Sequence, residues 1–362
     1  MKILINTLLY PLEKNPGRGL FVAQHIHDLE EAGHEVRIVN PLPRMIRYAE
    51  TRRSTLTGVA RTKRKYSTLQ HMILAPKYTD FPEHPYPRWT MRSIGAKAKW
   101  VEKNLGTWRP DVIICHTIFP VGKLADTLSK RWSVPWVGVV HGHDIDVGLS
   151  HASTGPHIRN LCGASQGIIS VSPGLHKKTN EQHLNSHLYY IPCRSEVGKD
   201  WARPMKPWKG RWRKEVLDIL FPSDPRRPEK NFFLALETGE ELEKRGWKVG
   251  ITKIQHQPHD IVLDRMLTAD VTLITSKRES GPLTARESLL CGTPVVAVDV
   301  GDMSSYLPSE WIRNDNPMDL ADGIEIALQE GWNDVQPVEK LSMFSKSSIT
   351  KEWNALLEEL VE

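Results

Sequence analysis

Two glutamates, Glu279 and Glu287, flank the predicted start of a short helix. Gly281 lies in the loop before it, and Leu283 and Thr284 form its first turn, where backbone N–H groups have no intrahelical acceptor. Such donors, together with the helix dipole, bind phosphate oxygens. A carboxylate accepts hydrogen bonds at both oxygens and so suits vicinal hydroxyls. The pattern predicts a nucleotide-sugar site; the alternative is a solvated acidic loop followed by an ordinary helix glutamate.

Strands on both sides must position this helix. The apolar stretches 271–275 and 295–298 predict buried strands. Between them, Ser280 is suited to capping the helix, Pro282 to its first helical position, and Gly292 to ending it. The sequence therefore predicts a unit of strand, loop, helix and strand, with the two glutamates at the mouth and inside the helix.

A second unit of this kind opens the chain. Residues 1–7 predict a strand, and a loop that contains Gly17 and Gly19 leads into a helical pattern that ends at Gly33. Glycines between a strand and a helix allow a backbone to approach a ligand phosphate closely. The alternative interpretation is an ordinary surface loop, since most loops contain glycine.

Polar residues follow two further predicted strands, 111–116 and 136–140. His141 and Asp144 come directly after the second strand, and His116 ends the first. Open parallel sheets bind ligands at the carboxyl ends of their strands, so these residues indicate a site. A zinc site is a weaker interpretation, because two histidines two positions apart without a distant third ligand are not a zinc pattern. We predict no metal; a structural role for His141 and a buried, hydrogen-bonded His116 stay open as alternatives.

The run from Ala269 through Glu279 and Glu287 to Gly301 resembles the C-terminal half of glycosyltransferase family 4, whose members carry a Glu-x7-Glu motif in this setting. The N-terminal glycine loop resembles that of the same family. The resemblance implies an α/β protein of the GT-B fold, in which two Rossmann-like domains face each other across a cleft. It places an acceptor-side domain at 1–195, a nucleotide-sugar domain at 196–346, and a C-terminal helix at 347–362 that crosses back to the first domain.

The resemblance also implies roles for individual residues. His141, Glu279 and Lys230 are the expected catalytic residues, with Asp144 and His116 in support. Two arginines compete to neutralise the diphosphate beside Lys230. The expected donor-binding residues are Gly17, Gly19, Arg226, Arg227, Lys230, Gly281, Leu283, Thr284 and Glu287. Two cations that face the departing diphosphate would do what a metal otherwise does, so no metal or other cofactor is expected beside the nucleotide-diphosphate sugar.

Length and composition fit a two-domain enzyme. The chain has 362 residues, of which 40% are hydrophobic and 25% charged, enough for two substantial cores. No apolar stretch approaches the length of a spanning helix, and the four cysteines form no Cys-x-x-Cys pair. We therefore expect a cytoplasmic protein whose membrane contact, where it has one, is peripheral and at the inner face of the membrane.

Basic residues concentrate in two segments. Residues 41–110 hold 15 Lys and Arg against four Asp and Glu, and residues 201–214 hold six against none. The second segment alternates cations with tryptophans, a mixture that stacks bases or lies at a membrane interface. An anionic acceptor is therefore expected, and a solvated basic face is the alternative. The expected acceptor-side basic and aromatic residues are Arg203, Trp208, Lys209, Arg211 and Trp212.

These patterns together predict a retaining glycosyltransferase that moves a sugar from a nucleotide sugar to a hydroxyl acceptor. An envelope polysaccharide or a lipid-linked glycan is the expected acceptor. One alternative is a bacteriophage-type transferase that acts on a modified pyrimidine base in DNA, for which a steep salt dependence of DNA binding would be typical. An alternative of another class is a nucleotide-sugar epimerase of the same fold, which would turn over without an acceptor.

Overall fold

The computed structural model describes residues 1–45, 50, 56–68, 70–81, 84–203, 216–255, 257–329 and 340–361. It divides into two compact units. Unit 1 comprises Met1–Pro192 with Ile349–Glu362, and unit 2 comprises Cys193–Ser348. The acceptor-side and donor roles of the two units stay predictions.

Unit 1 is built on a mainly parallel sheet. Its strands are β1 (Lys2–Thr7), β2 (Glu35–Val39), β4 (Lys65–Ser67), β5 (Met72–Leu74), β7 (Val112–His116), β8 (Trp136–Val140), β9 (Gly167–Ser170) and β10 (Leu188–Tyr190), and β3 (Leu42–Pro43) pairs separately with β6 (Lys77–Tyr78). The order across the sheet is β10-β9-β8-β7-β1-β2-β5-β4, and β4 pairs with β5 antiparallel. The helices are α1 (Leu20–Glu31), α2 (Pro87–Gly95), α3 (Ala98–Leu105), α4 (Gly122–Trp132), α5 (Gly155–Ala164) and α6 (Pro173–Glu181).

Unit 2 repeats this plan on a smaller scale. Its strands are β11 (Leu217–Phe221), β12 (Val249–Lys253), β13 (Val271–Ile274), β14 (Val295–Val298) and β15 (Ile312–Arg313), and its helices are α7 (Phe232–Lys244), α8 (His259–Thr268), α9 (Leu283–Leu290) and α10 (Pro317–Gln329). The strands are all parallel, in the order β12-β11-β13-β14-β15. The predicted α/β class with parallel sheets is confirmed.

Apolar runs explain why the central strands form. Every residue of β7 and β8 is buried, as is every residue of β13. Strands of a parallel sheet have helices on both faces and therefore carry continuous rather than alternating hydrophobic residues. Short crossovers of this kind place each helix against the sheet and bring the loops at the carboxyl ends of the strands to one edge.

Each sheet has a point where the strand order reverses. In unit 1 this point lies between β1 and β7, and in unit 2 between β11 and β13. The loops that follow these two neighbouring strands leave in opposite directions and open a crevice at the carboxyl edge, which is where open α/β sheets bind ligands. The loop with the two glycines follows β1, His116 ends β7, and the loops of Lys230 and Glu279 follow β11 and β13.

The last helix, α11 (Lys346–Val361), supplies most of its length to unit 1. Trp353 packs on the ring of His25 in α1 with the centroids 4.3 Å apart. Near the helix end, the Tyr189 hydroxyl donates to Glu359 Oε1 at 2.7 Å. These contacts hold the C-terminal segment against the first sheet.

Candidate functional site

Lys230 and Glu279 meet at the crevice of unit 2. Lys230 ends a 3₁₀ turn after β11, and Glu279 lies in the loop between β13 and α9. The Lys230 ammonium donates to Glu279 Oε1, and each side chain is only 13% exposed. Ser276 Oγ donates to the same oxygen at 2.6 Å. Oε2 of Glu279 bonds to none of the residues that the structure describes, so one carboxylate oxygen is left for a ligand hydroxyl.

Backbone contacts join the two loops that carry this pair. Thr275 Oγ1 donates to the carbonyls of Lys230 and Asn231, both at 2.9 Å. The N–H of Lys277 donates to the Glu229 carbonyl at 2.9 Å. These bonds span 44 to 48 positions of sequence and fix the two loops as one structure, so the ion pair sits on a rigid base.

Gly301, in the loop after β14, packs directly against Glu279. It has a φ of +72°, and a Cβ built there would lie 3.0 Å from the Ser280 carbonyl oxygen and 3.2 Å from Glu279 Cβ. Any other residue at position 301 would be strained and would press on the loop that holds Glu279. Gly301 is therefore a positioning residue for the carboxylate.

Helix α9 begins at Leu283, one residue later than the sequence predicted. Pro282 takes the cap position with φ −70° and ψ 104°, an extended conformation, rather than the first helical position. With this start the N–H groups of Leu283 and Thr284 still lie in the first turn of the helix, close in sequence to Gly281 and Glu279. The dipole of this short helix favours negative charge at that end.

Glu287 lies inside α9 and bonds a residue that sequence patterns did not single out. His259 Nε2 lies 2.9 Å from Glu287 Oε1, and the glutamate side chain is 8% exposed. The hydrogen bond to Glu287 raises the pKa of His259 above its ordinary value against the opposing effect of burial. As at Glu279, the second carboxylate oxygen makes no hydrogen bond within the described ranges. A lone histidine after Pro258 carries no signal in the sequence that would reveal this contact.

The two candidate arginines pair with carboxylates of their own turn. Arg226 donates to Asp224 through Nε and a terminal nitrogen, and Arg227 donates in the same way to Glu229 at 2.9 and 2.7 Å. Both guanidinium groups are about half exposed. The N–H of Lys230 donates to the Arg227 carbonyl at 3.0 Å, and a role for either guanidinium at the diphosphate stays a prediction.

Arg286 is a buried cation that the sequence reasoning missed. Its side chain is fully buried, pairs with Asp302, donates to the Cys193 carbonyl at 3.2 Å and lies 3.6 Å from the centroid of the Phe344 ring. Burial raises the pKa of Asp302, and the guanidinium opposes that shift. A charged residue in the middle of an otherwise apolar helix face was the only available signal. Its contacts fix α9 within unit 2.

Three histidines form a hydrogen-bonded chain at the crevice of unit 1. His25 Nδ1 lies 3.1 Å from His116 Nε2, and His116 Nδ1 lies 2.9 Å from His141 Nε2. The rings of His116 and His141 are stacked at a centroid separation of 5.2 Å, and Phe21 packs on His141 at 4.6 Å. The structure thus brings together the predicted His116 and His141 and adds His25, which the sequence gave no reason to choose.

Burial keeps these rings neutral. It lowers the pKa of His25 to about 3 and that of His141 to about 4, and it lowers the pKa of His116 well below its ordinary value. A neutral imidazole carries one N–H, so one ring nitrogen donates and the other accepts. The two bonds along the chain must therefore run in the same direction, and the tautomer of His116 fixes that of His141.

Asp144 supports the loop that follows β7. Its Oδ1 accepts from the N–H groups of Ile118 and Phe119 at 3.1 and 3.3 Å. Burial raises the pKa of Asp144 to about 6, and the two backbone bonds oppose this shift. Asp144 is thereby a positioning residue for the loop next to His116, and its supporting role at a donor sugar stays a prediction.

The glycine loop after β1 is ordered by contacts within the protein. Gly19 caps α1 with a φ of +67°, and a Cβ there would lie 2.4 Å from the Leu9 carbonyl oxygen, so its close approach is to the chain itself. The buried Arg18 donates to the carbonyls of Leu8 and Tyr10. Gly17 has open space where a Cβ would stand. The ligand contact predicted for both glycines stays a prediction, and Gly17 is the better placed for it.

The described residues include only part of the basic, tryptophan-rich segment. Trp208, Lys209, Arg211 and Trp212 lie outside the described residues. Arg203 is exposed, and its guanidinium donates to the Ala202 carbonyl at 2.7 Å. Among the described residues, no group of three His, Cys, Asp or Glu side chains could hold a metal ion. No helix within those ranges has the length and apolar character needed to cross a membrane.

Two family models match this chain. Residues 17–193 match the family described as Glycosyltransferase Family 4, and residues 236–348 match the family described as Glycosyl transferases group 1. A protein of Bacillus subtilis (strain 168), named "Putative teichuronic acid biosynthesis glycosyltransferase TuaC", is 25% identical over 339 residues, and the match covers 84% of this chain and 82% of that protein.

Solved structures share the fold over nearly the whole chain. Sucrose-phosphate synthase from Thermosynechococcus elongatus has a TM-score of 0.66 at 14% identity and covers 99% of each chain. HepE from Anabaena, solved in complex with UDP-glucose, has a TM-score of 0.61 at 15% identity, covering 99% of this chain and 100% of that one. The likeness confirms the predicted GT-B fold.

Proposed function

Because this chain belongs to the group 1 glycosyltransferases of the GT-B fold, we propose that it transfers a sugar, with retention of configuration, from a nucleotide-diphosphate sugar to a hydroxyl acceptor. The acceptor is an envelope polysaccharide or a lipid-linked glycan. The observation that carries the donor half of this proposal is the Lys230–Glu279 pair, formed between the turn after β11 and the loop that leads into α9.

The donor site combines cations and carboxylates. Lys230 and the N–H groups of Leu283 and Thr284 receive the diphosphate, as an ammonium and a helix start suit negative oxygens. Oε2 of Glu279 and of Glu287 accepts hydrogen bonds from donor hydroxyls, since Oε1 of each is already engaged by the protein. An ion pair that is only 13% exposed on both sides is also shielded from solvent screening.

The reaction exchanges one bond for another at the anomeric carbon. The bond from that carbon to the diphosphate oxygen breaks, and a bond to the acceptor oxygen forms on the same face. The acceptor's hydroxyl proton passes to the departing phosphate oxygen. Negative charge grows on the diphosphate as it leaves, and Lys230 with the start of α9 stabilises that charge, which is the usual way that fixed donors lower such a barrier.

His141 acts on the transferred sugar as a neutral group. With its pKa lowered to about 4 by burial, the ring is uncharged at pH 7 and offers one donor or one acceptor nitrogen. The chain through His116 to His25 decides whether Nδ1 of His141 donates or accepts, because Nε2 is bonded to His116. His141 therefore orients a sugar hydroxyl and does not serve as a cation for the phosphates.

The acceptor assignment rests on charge and on one relative. Residues 41–110 of this chain carry 15 cationic against four anionic side chains, which favours an anionic acceptor. The Bacillus subtilis relative is named for the biosynthesis of teichuronic acid. Nothing within the described residues favours DNA over an envelope glycan, because most of the tryptophan-rich segment lies outside them.

A thermal-shift screen against UDP, GDP, ADP, CMP and dTDP sugars tests the donor half. A donor at 100 times its dissociation constant stabilises the protein by about 2.7 kcal/mol. We expect one nucleotide family to shift the wild type, Glu279→Gln and Lys230→Ala to lose the shift, and Glu240→Gln, an exposed glutamate of α7, to keep it. A wild type that no nucleotide sugar shifts, or variants that bind as the wild type does, would refute the assigned donor site. Conversion of the donor without acceptor would establish the epimerase instead.

A further inference from the structure

Three aromatic side chains are exposed together on unit 1. Phe81 is 39% exposed, Tyr86 59% and Trp89 72%, and the rings of Phe81 and Tyr86 meet edge to face at 5.5 Å. Tryptophan is highly buried on average, so a tryptophan with most of its surface in water calls for a partner that covers it. We refer to Phe81, Tyr86 and Trp89 as the aromatic patch.

Asp80 holds the patch in place. Its Oδ1 accepts hydrogen bonds from the Phe81 N–H at 3.0 Å, from His84 Nδ1 at 2.9 Å and from Thr90 Oγ1 at 2.9 Å. The first bond fixes the backbone of Phe81, and the last joins Asp80 to helix α2 through Thr90. The exposed rings therefore stand on an ordered base, which reduces the conformational entropy lost on docking.

Cations share the outer face of α2 with Trp89. Thr90 and Ile94 are buried beneath the helix, whereas Arg88, Trp89 and Arg92 are exposed, at the spacing of one helix face. Neither arginine forms an ion pair with any residue that the structure describes. The outer face of α2 is thus both aromatic and positively charged.

More cations lie beyond the end of α2. Burial and the neighbouring charges of Arg44 and Arg64 lower the pKa of Lys97. The effect of Arg44 and Arg64 on Lys97 means that these cations lie close to it. A surface of this kind attracts anions over a distance of about one Debye length, some 8 to 10 Å at ordinary ionic strength.

The patch adjoins the crevice of unit 1. The ring of His84 packs edge to face on Phe119 at 5.0 Å, and the Phe119 N–H donates to Asp144. On the other side, burial and the charge of Arg88 lower the pKa of His157, whose ring lies 6.4 Å from that of Phe119. A partner on the patch would therefore lie beside the loop that follows β7. This loop begins directly after His116, the middle residue of the histidine chain.

We propose that unit 1 docks on an anionic phospholipid surface through Phe81, Tyr86 and Trp89, with Arg88 and Arg92 at the lipid headgroups. Tryptophan and tyrosine are the residues that concentrate at membrane–water interfaces, and basic residues next to them bind anionic lipid. The outer face of a helix is convex, whereas single-stranded nucleic acid is bound along a groove. This proposal rests on the proposed function, because the docking would bring a lipid-linked acceptor to the unit 1 crevice.

Sedimentation with vesicles tests the docking without any turnover. The full chain is mixed with vesicles of phosphatidylcholine alone or of phosphatidylcholine with phosphatidylglycerol. We expect binding only to the anionic vesicles. Tyr86→Ala with Trp89→Ala should weaken it by about tenfold or more, and each of Arg88→Gln and Arg92→Gln by about fivefold at low salt. Phe233→Ala, which removes a ring that is 69% exposed in unit 2, is the matched control and should bind as the wild type does.

Fluorescence places the tryptophan. Brominated lipids should quench the wild type on anionic vesicles, and Trp89→Phe should remove most of that quenching although eleven other tryptophans remain of the twelve. Equal binding by the patch variants and the wild type would overturn the proposal. So would tighter binding to a DNA oligonucleotide than to the vesicles, or self-association that Trp89→Ala abolishes. The donor-sugar thermal shift of the patch variants should be unchanged. Loss of that shift would count against the proposed function, whereas loss of vesicle selectivity alone would count against the docking.

Discussion

The Nδ1 atom of His116 lies 2.9 Å from Nε2 of His141, and the two rings are stacked at an interplanar angle of 17°. His116 comes from the end of β7 and His141 directly follows β8, so neighbouring parallel strands deliver both rings to one edge of the sheet. With His25 bonded to the far nitrogen of His116, the orientation and the tautomer of His141 depend on a residue that touches no substrate in the proposed mechanism.

Replacing His116 should therefore impair turnover without impairing donor binding. His116→Phe keeps a planar ring but removes both nitrogen atoms, and we expect kcat to fall by about tenfold, which corresponds to about 1.4 kcal/mol. The KM for the nucleotide sugar should change little, because the groups proposed to bind the diphosphate lie in unit 2. His187→Phe, an exposed histidine of unit 1, is the control. Wild-type kcat in His116→Phe would show that the chain does not set the state of His141.

Exchanging the two members of the unit 2 ion pair should separate stability from binding. Lys230→Glu combined with Glu279→Lys restores opposite charges at the same two positions, so the free energy of unfolding should recover relative to either single variant. The nucleotide-sugar affinity should not recover, because the positive charge would then lie at position 279 and no longer in the turn after β11, where the diphosphate is expected to bind. Chemical denaturation and calorimetric titration measure the two quantities. Recovery of both would mean that the pair is structural only.

Gly301→Ala should disturb the Glu279 loop. The new Cβ would lie 3.0 Å from the Ser280 carbonyl oxygen, and the residue would keep a φ of +72°. We expect the donor affinity to fall by about tenfold, equivalent to about 1.4 kcal/mol. Gly246→Ala is the matched control, because Gly246 has a φ of +93° in the same unit but no neighbour within 4 Å of a built Cβ. An equal loss of affinity in both variants would attribute the effect to backbone strain alone.

The His259–Glu287 contact should make part of the stability of unit 2 depend on pH. Bonding to Glu287 raises the pKa of His259 above 6.5, so the stabilisation is fully present below pH 6.5 and is lost as the pH rises through the raised value. The difference in melting temperature between the wild type and His259→Gln should accordingly be largest near pH 6 and shrink in alkaline buffer. A difference that does not vary with pH would mean that the charge on His259 contributes nothing.

The buried histidines of unit 1 predict the opposite behaviour in acid. Their pKa values are lowered, to about 3 for His25 and about 4 for His141, so stability is lost as the pH falls below 6.5, by about 1.4 kcal/mol per histidine and pH unit. Asp144, whose pKa is raised to about 6, offsets one of them between pH 3.8 and 6. In denaturant titrations at several pH values, His25→Phe should reduce the slope of the unfolding free energy against pH by the amount that corresponds to one proton. An unchanged slope would show that His25 is not held neutral in the folded chain.

The parallel α/β architecture was predictable from the sequence because short local patterns indicate its strands and helices. Runs such as Val112–His116 and Val271–Ile274 are mostly apolar, and Gly292 follows the end of α9 as a helix-ending glycine should. The one local error concerned Pro282, whose ring permits both the first helical position and the cap, and the choice between them depends on a ψ angle that the following packing sets.

The chemistry-bearing residues of the candidate site could also be predicted from the sequence. Lys230, Glu279, His116 and His141 end or follow predicted strands, and Glu287 lies in a predicted helix. Their partners were not. His25 is 91 positions from His116, His259 is 28 from Glu287, and Gly301 meets Glu279 from the loop after another strand. Residue types and spacing fix what each segment can form and which end of a strand carries polar groups. Only the packing of the crossover helices onto the sheet decides which distant side chains meet. Contacts between residues far apart in the sequence produce no periodic pattern from which they could be predicted.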